Sequence, residues 1–222
     1  MRIFCDFDGT ISRSDTTDFV LTALADPAWH EIEARWESGE IDAAECMRLQ
    51  VAMIGGSETD LNTVLDRVEL DPHFKNFVLW AEANGHPITI LSDGVNHFIK
   101  RLLTREGLGR LPVFANVLAG QAGAWALEQP WMRAGCAGGS GVCKCEVVRT
   151  TATETQGPVV FVGDGRSDFC VSAKVDILFA KHRLAEYADA RGAEFLPYET
   201  FADVTATLNG FAAVPAKQAC AV

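Results

Sequence analysis

Lysine and arginine are scarce in this 222-residue chain. Nineteen of them face 30 aspartates and glutamates, for a formal charge of −11 with histidine neutral. A nucleic-acid backbone is gripped by clustered cations, so the shortage excludes a nucleic-acid partner. The want of a basic amphipathic face argues equally against attachment to a membrane surface. No apolar run reaches the roughly 18 residues of a spanning helix. Met1 to Asp6 passes at once into a strand-like stretch ending in an acid, which leaves no room for the apolar core of a signal peptide. The expected address is therefore the cytoplasm. Seven cysteines, odd in number and unevenly spread, do not form a secreted disulfide framework and are expected to be reduced thiols. With 48% hydrophobic and 22% charged residues the chain is neither disordered nor of low complexity. Its length suits one moderate domain plus an insertion.

What is present is a repeated local grammar: a short apolar run, a polar or acidic residue, then glycine. It occurs at Arg2 to Gly9, at Pro87 to Gly94 and at Val159 to Gly165. Continuous Val- and Ile-rich runs are what parallel strands covered on both faces require. The predicted class is α/β, a Rossmann-like parallel sheet whose carboxyl edge gathers the three polar ends into one site. Between the first two strands lie about eighty residues of helical character. Starts are expected at Ser14 or Asp15, at Asp26 before Pro27, at Asp42, at Ser57 with Asp60 three residues on, and at Asp71 before Pro72. A plain crossover needs only a dozen or so residues. The excess reads as a helical cap over residues 12–71 inserted after the first strand, with 1–11 and 72–222 forming the core. Further on, the pattern predicts a helix over 95–105, a strand over 112–118 and a helix from about Lys144. Beyond these come a short helix from Ser167, a strand over 175–180, helices over 184–191 and 200–208, and a loosely held tail after Gly210.

Asp6 and Asp8 stand two apart at a strand end, so their carboxylates start on one face and diverge as the chain turns at Gly9. Carboxylates that close repel unless a cation lies between them or one keeps a proton. Both solutions hold at once if Asp6 ligates a metal and Asp8 transfers protons. A hard cation on oxygen ligands points to Mg²⁺.

Asp6-Phe7-Asp8-Gly9-Thr10 resembles the DxDGT signature of the haloacid dehalogenase-like phosphatases. The likeness continues in order through Ser92, Lys144 and Gly163-Asp164-Gly165-Arg166-Ser167-Asp168. It implies that Asp6 attacks phosphorus and Asp8 serves as acid and then base. Ser92 with the N–H groups of Asp93 and Gly94 would hold phosphoryl oxygens, and Lys144 would neutralise them. Asp6, the Asp8 carbonyl and Asp164 would bind Mg²⁺, with Asp168 in support. The all-helical insertion resembles the cap of the phosphoserine-phosphatase-like branch. Segments such as Trp36 to Ile41, Arg105 to Leu108 and Gly141 to Lys144 look most like the methionine-salvage phosphatases, which hydrolyse 2-hydroxy-3-keto-5-methylthiopentenyl-1-phosphate. Asp93 and Ser167 depart from the phosphoserine phosphatase pattern. Asp15 sits where relatives place an acid that meets a substrate amine, and also where a helix N-cap belongs. Arg166 is the preferred contact for a substrate anion, ahead of Arg13, Lys181 and Arg183. Phe19, Trp36 and Met47 are candidates for an apolar pocket wall. The expected partner is a small phosphorylated metabolite, acted on by a monomer or homodimer. A phosphotransferase and a non-catalytic phosphate- or metal-binding module are the alternatives.

One cluster stands outside that scheme. Cys136, Cys143 and Cys145 could begin a zinc site with His182 or His97, but structural zinc sites usually show paired Cys-x2–4-Cys spacings and no second pair exists. Small buried thiols beside the phosphate loop are the expectation.

Overall fold

The computed structural model describes residues 1–136, 138–152 and 157–212. Most of the tail expected after Gly210, from residue 213 onward, lies outside the described residues, as does Cys220.

Alternation along the strands builds two apolar layers. In β1 (Arg2–Cys5) and β5 (Val159–Gly163), Ile3, Cys5, Val160 and Val162 face one way and Phe4 and Phe161 the other. The same alternation continues in β2 (Ile88–Val95) and β6 (Ile177–Ala180), where Ile88, Ile90 and Phe179 oppose Leu91 and Leu178. With β3 (Val113–Gln121), β4 (Ala124–Glu128) and the two-residue β7 (Leu196–Pro197), they make a seven-stranded sheet in the order β4-β3-β2-β1-β5-β6-β7. All pairs are parallel except β3 with β4. A parallel sheet must be covered on both faces, which the helices do.

Five helices separate β1 from β2: α1 (Thr16–Leu24), α2 (Trp29–Glu37), α3 (Ala43–Val51), α4 (Glu58–Leu65) and α5 (Phe74–Ala83). Asp15, Asp42 and Ser57 cap three of them as the sequence predicts, Ser57 through a reciprocal box with Asp60. Asp26 and Asp71 act one turn early. Each accepts from an N–H two residues on, at Ala28 and His73, so the helices begin at Trp29 and Phe74 instead. Helices α1 and α4 contact each other, as do α2 and α3, while α5 packs on α10 (Phe201–Ala212). The ends of the insertion are tied by an antiparallel bridge between Ser12 and Leu70 and by the Asp71 N–H donating to the Ile11 carbonyl at 2.8 Å.

Helix α6 (Asn96–Arg105) follows β2, which runs on to Val95 and carries Ser92, Asp93 and Gly94 within it. The sequence did not foresee β4, a strand that turns back on β3 and reaches α3. Across the sheet lie α7 (Lys144–Thr151), a short 3₁₀ turn (Arg166–Asp168), α8 (Phe169–Ser172) and α9 (His182–Asp189). Among the described residues no helix is long and apolar enough to cross a membrane.

Candidate active site

Asp6 follows the last residue of β1, with its N–H on the Val162 carbonyl at 2.9 Å. The chain then turns sharply: the Phe7 carbonyl accepts from the N–H groups of Ile11 and Ser12 at 2.8 and 2.9 Å. Gly9 sits at φ +72°, left-handed backbone that glycine adopts without strain, and a Cβ there would collide with the Asp164 carboxylate. This turn sends the two carboxylates to different neighbours.

Asp6 meets the lysine at the start of α7. Lys144 Nζ lies 2.7 Å from Asp6 Oδ1 and 2.6 Å from Asp168 Oδ1, and donates to Ser167 Oγ at 2.9 Å. Its side chain is wholly buried. Burial pulls the ammonium down, but Asp168 and Asp6 outweigh it and hold the group above its ordinary range. The Phe7 N–H also donates to Asp6 Oδ1 at 2.8 Å. Asp168 spends its other oxygen on the N–H groups of Asp164 and Gly165, both at 3.1 Å, and so shapes the loop after β5. Asp164 Oδ1 accepts from Thr10 at 2.8 Å.

Oxygens of Asp6, Asp164 and Asp168 come within 4.8 Å of one another. Three carboxylates and one ammonium leave a formal −2. Burial first, then Asp168, lifts Asp6 well above the usual carboxylate range against the pull of Lys144. Asp164 is raised by burial, and also by Asp168, with its Thr10 hydrogen bond opposing. A buried group of oxygens short of two positive charges fits a hard divalent cation. Asp6 and Asp164 have the capacity to ligate it; Asp168 is already engaged by Lys144 and two N–H groups.

Asp8 turns instead toward the insertion. Thr16 donates to its Oδ1 through N–H at 2.8 Å and through Oγ1 at 2.6 Å, and Ser92 donates to Oδ2 at 3.3 Å. Burial raises this carboxyl, the charge of Asp15 adds to the effect, and the Thr16 and Ser92 hydrogen bonds oppose it, leaving it at about 7. The Gly94 N–H donates to Ser92 Oγ at 2.9 Å.

Other predicted site residues fall into place unevenly. The Asp93 carboxylate accepts from the Val142 N–H at 3.0 Å, and its carbonyl accepts from Asn116, so it braces the loop that delivers Lys144. Asp15 caps α1 through the N–H groups of Thr17 and Asp18, while also lining a cavity of about 790 Å³ over the site. It is exposed to the cavity, where the surrounding protein partly desolvates it and, with the neighbouring acids Asp18 and Glu33, raises it to about 6. Arg166 reaches over the Trp36 ring, 5.2 Å from its centre, joining the turn after β5 to α2. Trp36, Met47, Arg13 and Arg183 line the cavity. Phe19 lies instead under Arg67, and Lys181 over Tyr198. Sequence reasoning missed Thr16 and Asn116, whose only marks are a threonine after a cap residue and a lone asparagine in a strand. His97 faces Asn62, and His182 comes within 3.9 Å of Asp164, so neither completes the cysteine cluster.

The chain is thus an α/β protein whose acid-rich site lies at the carboxyl edge of its sheet. The family model of the haloacid dehalogenase-like hydrolases matches residues 3–172, and the chain belongs to that family. It is 24% identical over 217 residues to the 2-hydroxy-3-keto-5-methylthiopentenyl-1-phosphate phosphatase of an Exiguobacterium species, covering 94% of this chain and 97% of that one. It is 28% identical over 224 residues to a polyol phosphate phosphatase of Saccharomyces cerevisiae, covering 93% and 92%. A solved phosphoserine phosphatase bearing an analogue of its phospho-aspartyl intermediate shares the fold with a TM-score of 0.67 at 18% identity, over 94% of this chain and 97% of that one.

Proposed function

We propose that this enzyme is a Mg²⁺-dependent phosphatase of small phosphomonoesters that works through an aspartyl-phosphate on Asp6. The observation that carries the reading is the division of labour between the two acids. Asp6 is pinned by Lys144 beside Asp164, while Asp8, held by Thr16 and Ser92, keeps a proton near neutral pH. Lys144 and Phe7 N–H occupy Asp6 Oδ1, which leaves Oδ2 to attack phosphorus. As the new bond forms, the ester bond breaks and Asp8 protonates the departing oxygen. Asp8 then takes a proton from water, whose oxygen displaces Asp6 and releases inorganic phosphate. Asp6, Asp164 and the Asp8 carbonyl would hold Mg²⁺, which supplies charge neutralisation for the phosphoryl oxygens. Lys144 contributes to the same neutralisation and, together with the cation, would favour the ionised form of Asp6 against the burial that raises it. Ser92 and the N–H groups of the β2 end bind the phosphoryl group.

Residues 12–71 serve as the cap, contributing Asp15, Asp18, Glu33, Trp36 and Met47 to the cavity wall. Three acids and three arginines, Arg13, Arg166 and Arg183, share the cavity wall with an aromatic ring and a thioether, so their charges offset. Such a wall suits an uncharged hydroxylated or keto chain, as the names of the curated relatives also favour. 2-Hydroxy-3-keto-5-methylthiopentenyl-1-phosphate and polyol phosphates are therefore the substrates to compare first with phosphoserine.

The test is hydrolysis of an aryl phosphate with Mg²⁺ and with EDTA. Asp6→Asn is expected to lose at least ~10³-fold in kcat, and the wild type to yield a phosphorylated peptide containing Asp6 on rapid acid quench. Full activity in that variant would overturn the mechanism.

A further inference from the structure

Beside the cavity, the fold brings a fourth cysteine to the three that the sequence already groups. Cys136 lies in the loop before α7, Cys143 is the N-cap of α7 and Cys145 is in its first turn. The three sulfurs are all within 4.8 Å of one another, with Cys143 and Cys145 3.6 Å apart. Helix α8, which packs on α7, adds Cys170. Its thiol contacts those of Cys145 and Cys136. A Cβ placed on Gly138 would stand 3.8 Å from the sulfur of Cys136 and 3.9 Å from that of Cys170, so these two flank one glycine. We infer that Cys136, Cys143, Cys145 and Cys170 form a structural site for a soft divalent cation, Zn²⁺ foremost, bound by four thiolates.

Three features carry this beyond a chance gathering. In a tetrahedral site with Zn–S near 2.3 Å, the sulfurs stand roughly 3.8 Å apart; Cys143 and Cys145 are 3.6 Å apart and with Cys136 lie within 4.8 Å of one another, while Cys170, outside that group, would close in from α8. Backbone N–H groups already point at the sulfurs, Gly138 to Cys136 and Cys145 to Cys170, the outer contacts a thiolate site uses to spread its charge. The start of α7 places the positive end of its dipole at Cys143 and Cys145. Cys143 is buried while the other three are partly exposed, which gives an ion a path in. On entry the four thiols release their protons to solvent and no electrons move. The fourth ligand could not be read from spacing, because Cys170 arrives 25 positions after Cys145 from beyond β5.

The placement gives the site a purpose. Lys144 lies between two of the ligands, and Asp168, its ion-pair partner, is two residues before a third. A cation there would fasten the segment carrying the buried lysine to the segment carrying its acid. It stands independently of the phosphatase reading.

The full chain, expressed with zinc in the medium and desalted without chelator, is expected to hold about one zinc per molecule. Replacement by Co²⁺ should give thiolate-to-metal charge transfer in the near ultraviolet and the visible bands of a tetrahedral ion. Cys145→Ser and Cys170→Ser should each lose most of the zinc, and Cys46→Ser, a buried thiol in α3, should retain it. Asp164→Asn, which alters the carboxylate cluster, should retain it as well. Stripping with a mercurial reagent should speed hydrogen exchange over residues 138–150. Wild-type protein with less than about a tenth of an equivalent of zinc and no tetrahedral cobalt spectrum would overturn the inference. So would zinc that survives the Cys145→Ser/Cys170→Ser double change, or a disulfide among the four in protein purified without oxygen.

Discussion

At the scale of the residue, the acid role proposed for Asp8 predicts how activity depends on pH. A general acid must carry its proton when the ester bond breaks, and burial holds this carboxyl at about 7, some way above an ordinary aspartate. For substrates with a poor leaving group, kcat/KM should therefore fall as pH rises through about 7. An aryl phosphate, whose leaving group needs no proton, should lack that limb. Thr16→Val tests the cause. Its hydroxyl, 2.6 Å from Asp8 Oδ1, favours the ionised form and orients the carboxyl, while the Thr16 N–H remains after the change. The limb should move to higher pH and the rate below it should drop ~10-fold. An unmoved limb in Thr16→Val, or one that persists in Asp8→Asn, would remove Asp8 from the role.

At the scale of the element, the end of β2 is built around the close approach of Asp8. A Cβ on Gly94 would stand 2.5 Å from Asp8 Oδ2 and 3.0 Å from Ser92 Oγ. Gly94→Ala should displace both and lower kcat by ~10²-fold, since misplacement by an ångström costs about that much. Its melting temperature should stay within a few degrees of wild type, because the change shifts side chains at a strand end and leaves both apolar layers intact. A variant that unfolds instead would show that the glycine serves the sheet. The strands and caps nearby were legible because their causes are local: Val and Ile runs for β1, β2 and β5, and Asp15, Asp42 and Ser57 ahead of amphipathic turns. Strand β4 was not, since on an edge it buries only Trp125 and Leu127 and its five residues look like loop. Asp6, Asp8, Ser92, Lys144, Asp164 and Asp168 were legible through ordered family motifs. Asn116, which holds Asp93 from 23 residues away, and Cys170, which joins three other thiols, depend on pairings that no spacing encodes.

At the scale of the whole molecule, the surplus of acid becomes a statement about stability. Asp8 at about 7 is raised above its unfolded value, chiefly by burial. Asp6 and Asp164 are raised for the same first reason. A carboxyl raised by folding binds its proton more tightly in the native state. The stability it contributes is complete below the unfolded pKa, about 4, and is lost as pH rises through the folded one. Protein kept in EDTA should therefore become less stable between pH 5 and pH 7.5. A divalent cation at Asp6 and Asp164 competes with those protons and should stabilise little at pH 5 and most at pH 7.5. At a hundred times its dissociation constant it would add about 2.7 kcal/mol. In a chain of this size that corresponds to ~5–10 °C in Tm. Thermal melts with EDTA and with Mg²⁺ at the two pH values measure the difference directly. Asp164→Asn should shrink the Mg²⁺ shift at pH 7.5 and, having one fewer buried carboxylate, melt higher than wild type in EDTA. Equal Mg²⁺ shifts at both pH values would mean that the cation binds exposed acids elsewhere on the surface and that the buried cluster does not titrate as its burial requires.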